Sequence, residues 1–282
     1  MIQKKLVFTT VIFLILGISG LFAQYEFMHR DGGSYRSGFM GSPISSFNFR
    51  APNIVVFSHS WQEGWESHNT TRTGTYSIEH EYGVPFLNIN WEDGASVRYL
   101  MLADENMMVL YTGNTEPEWN LIWIPYYAEM GWGHPTLISD VTASSTLREG
   151  HVLYAATPER LGLHINRVWA VEGGVGERLF IMPGTQAWRL SISIGYVHFS
   201  RPYLFQQNSR PKKIRIFDAI DETIFFDMEL RDTPNFQTIN FSSIERAYII
   251  GSIGLIIEIL EIYPGTRFNH MCINSIVGWW SQ

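Results

Sequence analysis

One feature constrains this chain more than any other. Apolar and polar residues alternate with a period of two, in run after run, and a turn breaks each run. In "FLNINWEDG" Leu87, Ile89 and Trp91 alternate with Asn88 and Asn90, and in "SVRYLML" Val97, Tyr99 and Met101 alternate with Arg98, Leu100 and Leu102. Successive side chains of a strand point to opposite faces, so this period describes strands with one face on a core. Glu92-Asp93-Gly94 and Asp104-Glu105-Asn106 supply the turns, and "NIVVFSHSW", "GTYSIEHEYG" and "MMVLYTG" complete the set. The pattern predicts an antiparallel meander, either a small sheet or an open barrel, over residues 53–113.

A second β series begins near Ala143. In "WRLSISIGY" Leu190, Ile192 and Ile194 alternate with Arg189, Ser191 and Ser193; in "KKIRIF" Ile214 and Ile216 alternate with Lys213 and Arg215. "ERLFIM", "TIFFDMEL", "FQTINF" and "GLIIEILEIY" continue the series, with Gly, Pro, Asn and Asp between them. Such spacing predicts an all-β sandwich over residues 143–282. The stretch 243–262 reads as strand, because Gly251 and Gly254 interrupt it and isoleucine dominates. Residues 24–52 are rich in Gly and Ser and read as a surface leader. Residues 114–142 hold three prolines and three tryptophans and read as an inter-domain linker whose aromatics either pack between domains or line a binding face.

The N-terminus reads as a targeting segment. Lys4 and Lys5 precede an apolar run over residues 6–21, and Ala23 follows, as in a cleaved secretory signal peptide over residues 1–23. The run is shorter than the ~20 residues a spanning helix prefers, which leaves an uncleaved anchor as the weaker alternative. The expected location is the periplasm, the cell surface or the medium. The formal charge is −7, and loss of Lys4 and Lys5 makes the chain more acidic still, so nucleic acid is not an expected partner. Cys272 is the only cysteine, so no intrachain disulfide forms and the core must hold the fold.

"WAVEGGVGERLF", residues 169–180, invites comparison with phosphate-binding loops through Gly173, Gly174 and Gly176. Such loops need a following helix and, in the P-loop, a Lys-Ser/Thr pair. Here Glu177 follows Gly176, and "RLFIMPG" is strand-like. The expectation is a loop entering a strand, with glycines for positive φ or close backbone approach.

Several short motifs in one order carry a resemblance. They are Ser144-Ser145-Thr146-Leu147, Trp169 with Glu172-Gly173, Gly176-Glu177, Gly195-Tyr196, Asn208-Ser209-Arg210-Pro211-Lys212-Lys213-Ile214, and Tyr263-Pro264-Gly265-Thr266-Arg267-Phe268-Asn269. Over residues 141–278 the chain resembles the discoidin-like, NADase-type glycan-binding domain of secreted bacterial proteins. The resemblance implies a galactose-binding-like jelly roll that binds carbohydrate through loops at one end, with no catalysis of its own. Such sandwiches often hold a structural calcium ion through acidic residues, and Ca²⁺ needs 6–8 oxygen ligands. Here the corresponding stretch is Asn269-His270-Met271-Cys272-Ile273-Asn274-Ser275-Ile276, without acids, so no metal or other cofactor is expected.

The family-matched ligand candidates are Trp169, Glu172, Glu177, Tyr196 and Arg210. An aromatic ring can stack on a sugar face while charged groups reach hydroxyls. Each also has a structural reading: Trp169 as a packed tryptophan, and Glu172 and Glu177 as acceptors that orient their loop or pair with Arg210. The nine histidines are scattered, with no His-Glu-x-x-His, and Gly-x-Ser-x-Gly is absent. Asp227 with Glu229, and Glu79 with Glu81, share strand faces and could form acid/base pairs, but a solvated face explains them without chemistry. The expected function is non-enzymatic binding of an extracellular or cell-envelope glycan. The alternatives are an envelope structural or protein-interaction role with the sandwich as scaffold, and a small-molecule carrier built on the N-terminal β domain.

Overall fold

The computed structural model describes residues 34–37, 44–63, 66–105, 107–113, 122–125, 134–183, 187–223, 225–240 and 254–280. The signal segment, residues 1–23, lies outside the described residues, as does most of the stretch 243–254. The protein is all-β: the described helices are two single turns, α1 (Pro158–Leu161) and α2 (Leu204–Gln207).

The N-terminal half is a closed antiparallel barrel in simple meander order. Its strands are β1 (Ser34–Ser37), β2 (Ile44–Arg50), β3 (Ile54–Glu63), β4 (Glu66–Glu81), β5 (Val84–Trp91), β6 (Ser96–Ala103), β7 (Met108–Tyr111) and β8 (Ile122–Pro125), with β8 pairing β1. The barrel is therefore larger than the predicted meander. Ile44–Arg50 is a wall strand rather than a leader, because Phe47 and Phe49 alternate into the lumen and are almost fully buried. Part of the predicted linker, β8, closes the ring. The lumen is filled by side chains. Phe47 packs against Phe49 and Phe57 with ring centroids 5.8 and 5.1 Å apart, and Phe49 meets Tyr76 edge-on at 5.0 Å. Leu87, Ile89, Trp91, Met101, Met108 and Leu110 complete this core.

The C-terminal half is a β-sandwich with the non-sequential antiparallel strand order compatible with a jelly roll. The first layer runs β16 (Phe225–Glu229), β15 (Arg210–Asp218), β18 (Leu255–Tyr263), β13 (Arg178–Pro183), β9 (His134–Ala143). The second runs β9, β19 (His270–Trp280), β14 (Ala187–Ile194), β17 (Gln237–Asn240), with β12 (Trp169–Glu172) also on β19. Strand β9 belongs to both: residues 138–143 pair with β13 and residues 134–137 with β19. A small hairpin, β10 (Arg148–Glu149) and β11 (Val152–Leu153), stands apart. The inner faces supply one core in which Val141, Trp169, Val171, Leu179, Ile181, Leu190, Ile192, Ile214, Ile216, Ile257, Ile259 and Ile273 interdigitate. Burying each such aliphatic side chain is worth ~1.5–3 kcal/mol relative to leaving it in water.

Barrel and sandwich share a further core. The outward residues of β5–β7, including Val84, Phe86, Leu100, Leu102, Val109 and Tyr111, pack against Leu163, Ile165, Val197, Phe205, Phe236, Val277 and Trp279 of the sandwich. Strands β5 to β7 are thus covered on both faces, which is why Leu100 and Leu102 interrupt the polar half of their alternation. The second sandwich layer is covered twice as well. Arg189, Ser191 and Ser193, the polar alternates of β14, are 2 %, 0 % and 0 % exposed beneath the barrel. The two serine hydroxyls are hydrogen-bonded there, and the arginine is stacked. Trp279 Nε1 donates to Ser191 Oγ at 2.9 Å, Ser193 Oγ donates to the Pro234 carbonyl at 2.6 Å, and the Arg189 guanidinium lies over the Trp279 ring at 4.3 Å. Burial pushes the Arg189 pKa down to about 10, with Asp104 and Glu105 pulling the other way, so this arginine stays charged at neutral pH.

Candidate functional site

The glycine loop forms as the residues dictate. Gly173, Gly174 and Gly176 all have positive φ, and β13 follows the loop rather than a helix. At Gly174 a Cβ would stand 2.5 Å from the Met271 Cβ, so glycine there permits the close approach of β12 to β19.

The family-matched candidates do not gather in one place. Trp169 is 0 % exposed in the sandwich core, with its indole Nε1 donating to the Ser145 carbonyl at 3.0 Å. Its ring faces are covered by protein, so it packs the fold and does not present a surface to a ligand. Arg210 is also buried. It makes a two-pronged ion pair with Asp232, at 2.6 and 2.9 Å, and its Nη1 donates to the carbonyls of Phe205 and Asn208 at 3.0 and 2.7 Å. The partner is therefore Asp232 rather than Glu172 or Glu177. The Glu177 carboxylate accepts from the Ser144 hydroxyl, and its backbone bonds to Gly174 and Ile259 lock the loop. Glu172 ends β12 in the open, across from His270.

Tyr196 does border a cleft. The cleft has a volume of about 530 Å³ and is lined by Tyr154, Thr157, Glu159, Arg160, Asn166, Arg167, Tyr196 and Arg201, with Val152 at its edge. That volume is in the range of natural small-ligand sites. The two tyrosines meet edge to face with ring centroids 6.4 Å apart, and His198 lies 6.2 Å from Tyr196.

Local sequence explains how each wall is built. Thr157 caps α1 by accepting from the Arg160 N–H at 3.3 Å, Pro158 occupies the first turn, and Leu161 inserts into the sandwich core. Arg160 is thereby left at the cleft. Asn166 adopts the left-handed region with φ of 67°, where asparagine is tolerated, and its Oδ1 accepts from the Phe199 N–H at 3.2 Å. Opposite, the segment after β14 continues a strand-like alternation. Val197 and Phe199 turn to the barrel, Phe199 meeting Phe86 edge-on at 5.7 Å, while Tyr196 turns to the cleft and His198 stands behind it against Arg201. Gly195 starts this segment with φ of 84° and passes so close to Phe205 that a Cβ would sit 2.6 Å from its ring. The barrel therefore braces the loop that carries the site.

Burial shapes the site's ionisation. It raises the Tyr154 pKa to about 12, with Tyr196 and Glu149 adding to the rise. Burial also raises the Tyr196 pKa, against the opposing pull of Arg201 and Arg160. His198 is pushed down to about 4, first by burial and then by the Arg201 charge, so it is neutral at physiological pH. Its Nε2 accepts from Arg201 Nε and Nη2 at 3.1 and 2.8 Å. Cys272 is buried and its thiol pKa is raised by burial, which makes it inert.

The carboxylate pairs found in sequence have other occupations. Asp227 pairs with Arg215 at 2.5 Å and Lys213 at 3.5 Å on the solvent face of the first layer, and Glu81 pairs with Arg98 at 2.6 Å on the barrel wall. Glu79 borders a second, polar hollow of about 430 Å³ on that wall with Asn88, Asn90, Ser96 and Arg98. Among the described residues no group of three or more His, Cys, Asp or Glu side chains could hold a metal ion. Sequence reading missed Tyr154, Arg160, Arg167 and Arg201. They lie in four different segments, and only the fold makes them neighbours. No protein-family model matches the chain. A search of curated proteins likewise gives no match.

Proposed function

We propose that the protein is an exported, non-enzymatic carbohydrate-binding protein, and that the saccharide sits in the cleft beside Tyr154 and Tyr196. The observation that carries this reading is the pairing of two tyrosine rings with planar hydrogen-bonding groups around one cleft: Asn166, Glu159 and the guanidinium groups of Arg160, Arg167 and Arg201. A sugar ring offers an apolar C–H face and a rim of hydroxyls. Aromatic rings take the first, and fixed amide, carboxylate and guanidinium groups take the second. The resemblance of residues 141–278 to glycan-binding sandwiches supports the same reading. Because barrel and sandwich share a core, the binding unit is the whole chain rather than the sandwich alone.

Probing a glycan array with the full chain, beside its Tyr196→Ala variant, tests the proposal. Retention of a saccharide class that falls at least tenfold in the variant is the expected result. Retention of no saccharide at all sinks it. An envelope interaction role is the second reading, favoured by the exposure of Val152 and Leu153 at the hairpin beside the cleft. Cross-linking in cells that captures a defined protein through this hairpin would select it. A carrier role for the barrel has less support, because its lumen is packed with its own rings.

A further inference from the structure

The cleft has the wrong charge for the chain that builds it. The protein carries a formal charge of −7. The cleft is lined by three arginines, Arg160, Arg167 and Arg201, and by one carboxylate, Glu159, a local balance of +2. These arginines do not form a helical or strand stripe that folding would expose by default. They come from α1, from the turn before β12 and from the loop after β14.

Five arginines elsewhere among the described residues are matched with acids. Arg72 pairs with Asp93, Arg98 with Glu81, Arg178 with Glu222 and Glu258, Arg210 with Asp232, and Arg215 with Asp227. Among the described residues no carboxylate lies within ion-pair distance of Arg160 or Arg201. Arg201 leans instead on His198 through Nε and Nη2. A neutral imidazole orients a guanidinium without cancelling its charge, and His198 is neutral because its pKa is pushed down to about 4. Arg201 is thus aimed but not neutralised. Arg160 and Arg201 line the cleft together with Tyr196, and the Glu149 carboxylate, just outside that lining, is engaged by the Tyr154 hydroxyl rather than by either arginine. Guanidinium groups bind planar or multi-oxygen anions through paired N–H donors, a geometry suited to carboxylate and sulfate.

We infer that the ligand of this cleft is an acidic saccharide, one whose ring bears a carboxylate or sulfate group that Arg160 and Arg201 grip while Tyr196 packs on the sugar. The inference rests on the carbohydrate reading above and narrows it to a substrate class.

Titration calorimetry with the full chain and three tetrasaccharide probes tests it: an oligogalacturonate, a heparin-derived oligomer and a neutral galactan. The expected result is that an acidic probe binds at least tenfold more tightly than the neutral one. Preference for the uronate or for the sulfated probe identifies the anion. Arg160→Gln and Arg201→Gln each lower that affinity about tenfold, in line with loss of a charge-assisted hydrogen bond. Arg160→Lys and Arg201→Lys, which keep the charge but lose the planar fork, fall between, and serve where a glutamine variant melts early. Equal affinity for acidic and neutral probes, or arginine variants that bind like the parent, overturns the inference. If neutral binding is nonetheless lost in Tyr196→Ala, the carbohydrate reading survives and only its acidity fails. If no probe binds, both fail together.

Discussion

The Asp104 carboxylate, just beyond β6 of the barrel, accepts a 2.8 Å hydrogen bond from the Thr238 hydroxyl on β17 of the sandwich. It also accepts from Ser191 Oγ at 3.3 Å and, through its other oxygen, from the Met107 N–H at 2.9 Å. Asp104 is 8 % exposed, so its removal leaves buried donors without their acceptor. Asp104→Ala is expected to cost about 2–3 kcal/mol of stability, read by chemical denaturation. The apolar core shared across the same interface makes the two halves one cooperative unit. Calorimetry of the parent chain should show a single transition, and two well-separated transitions would contradict a common core.

Trp169 separates packing from recognition. Trp169→Ala opens a large cavity among Leu190, Ile192 and Ile273 and should destabilise by about 3–5 kcal/mol. Trp169→Phe keeps most of the volume but loses the bond to the Ser145 carbonyl, a smaller cost of about 1–2 kcal/mol. Folded Trp169→Phe should bind saccharide like the parent chain. A tenfold loss of affinity at unchanged melting temperature would return this tryptophan to the ligand site.

Gly195 governs the start of the cleft loop. An alanine there would hold positive φ at a cost of ~1–3 kcal/mol and would push on the Phe205 ring. The expected outcome of Gly195→Ala is a lower melting temperature together with weaker saccharide binding, because Tyr196 follows directly. An unchanged melting temperature would show that the loop is not held as described.

His198 makes the protein sensitive to acid. Its folded pKa of about 4 lies below the ordinary value of 6.5, so the unfolded chain binds a proton more readily than the folded one. The stability that follows from keeping His198 neutral is fully present above about pH 6.5. It is lost progressively as pH falls towards 4, and His198→Gln should flatten that dependence. Protonation also removes the acceptor for Arg201 and sets two positive charges against each other. An NMR titration of the imidazole that returned a midpoint at or above 6.5 would refute the assignment.

Much of the fold was legible in the residues. Alternation over Leu87–Ile89–Trp91 and Leu190–Ile192–Ile194 reports faces correctly, because strand geometry ties residue parity to direction. The extent of the barrel was less legible. Phe47 and Phe49 are separated by a single asparagine in a serine-rich stretch, and only their burial in the lumen shows that this stretch is wall. The cleft was barely legible. Tyr196 stood out through its motif, whereas Tyr154, Arg160, Arg167 and Arg201 lie in segments with no pattern of their own. Residues that meet only through chain folding leave no periodicity to read.

Two strands mark the boundary between what the chain encodes locally and what assembly decides. In β14 Arg189 alternates with Leu190 and Ile192; in β15 Arg215 alternates with Ile214 and Ile216. By itself the sequence determined that both are strands with an apolar face and a polar face, since parity needs no partner. It did not determine where the polar faces lie. Arg215 stands in a solvent ladder with Asp227, while Arg189 is 2 % exposed over Trp279 beneath the barrel. The difference arises because burial of a polar face depends on a second surface to cover it, here the apolar outward residues of β5–β7, and on an acceptor within that surface, here Asp104 for the Ser191 hydroxyl. That surface exists only once the two halves have docked.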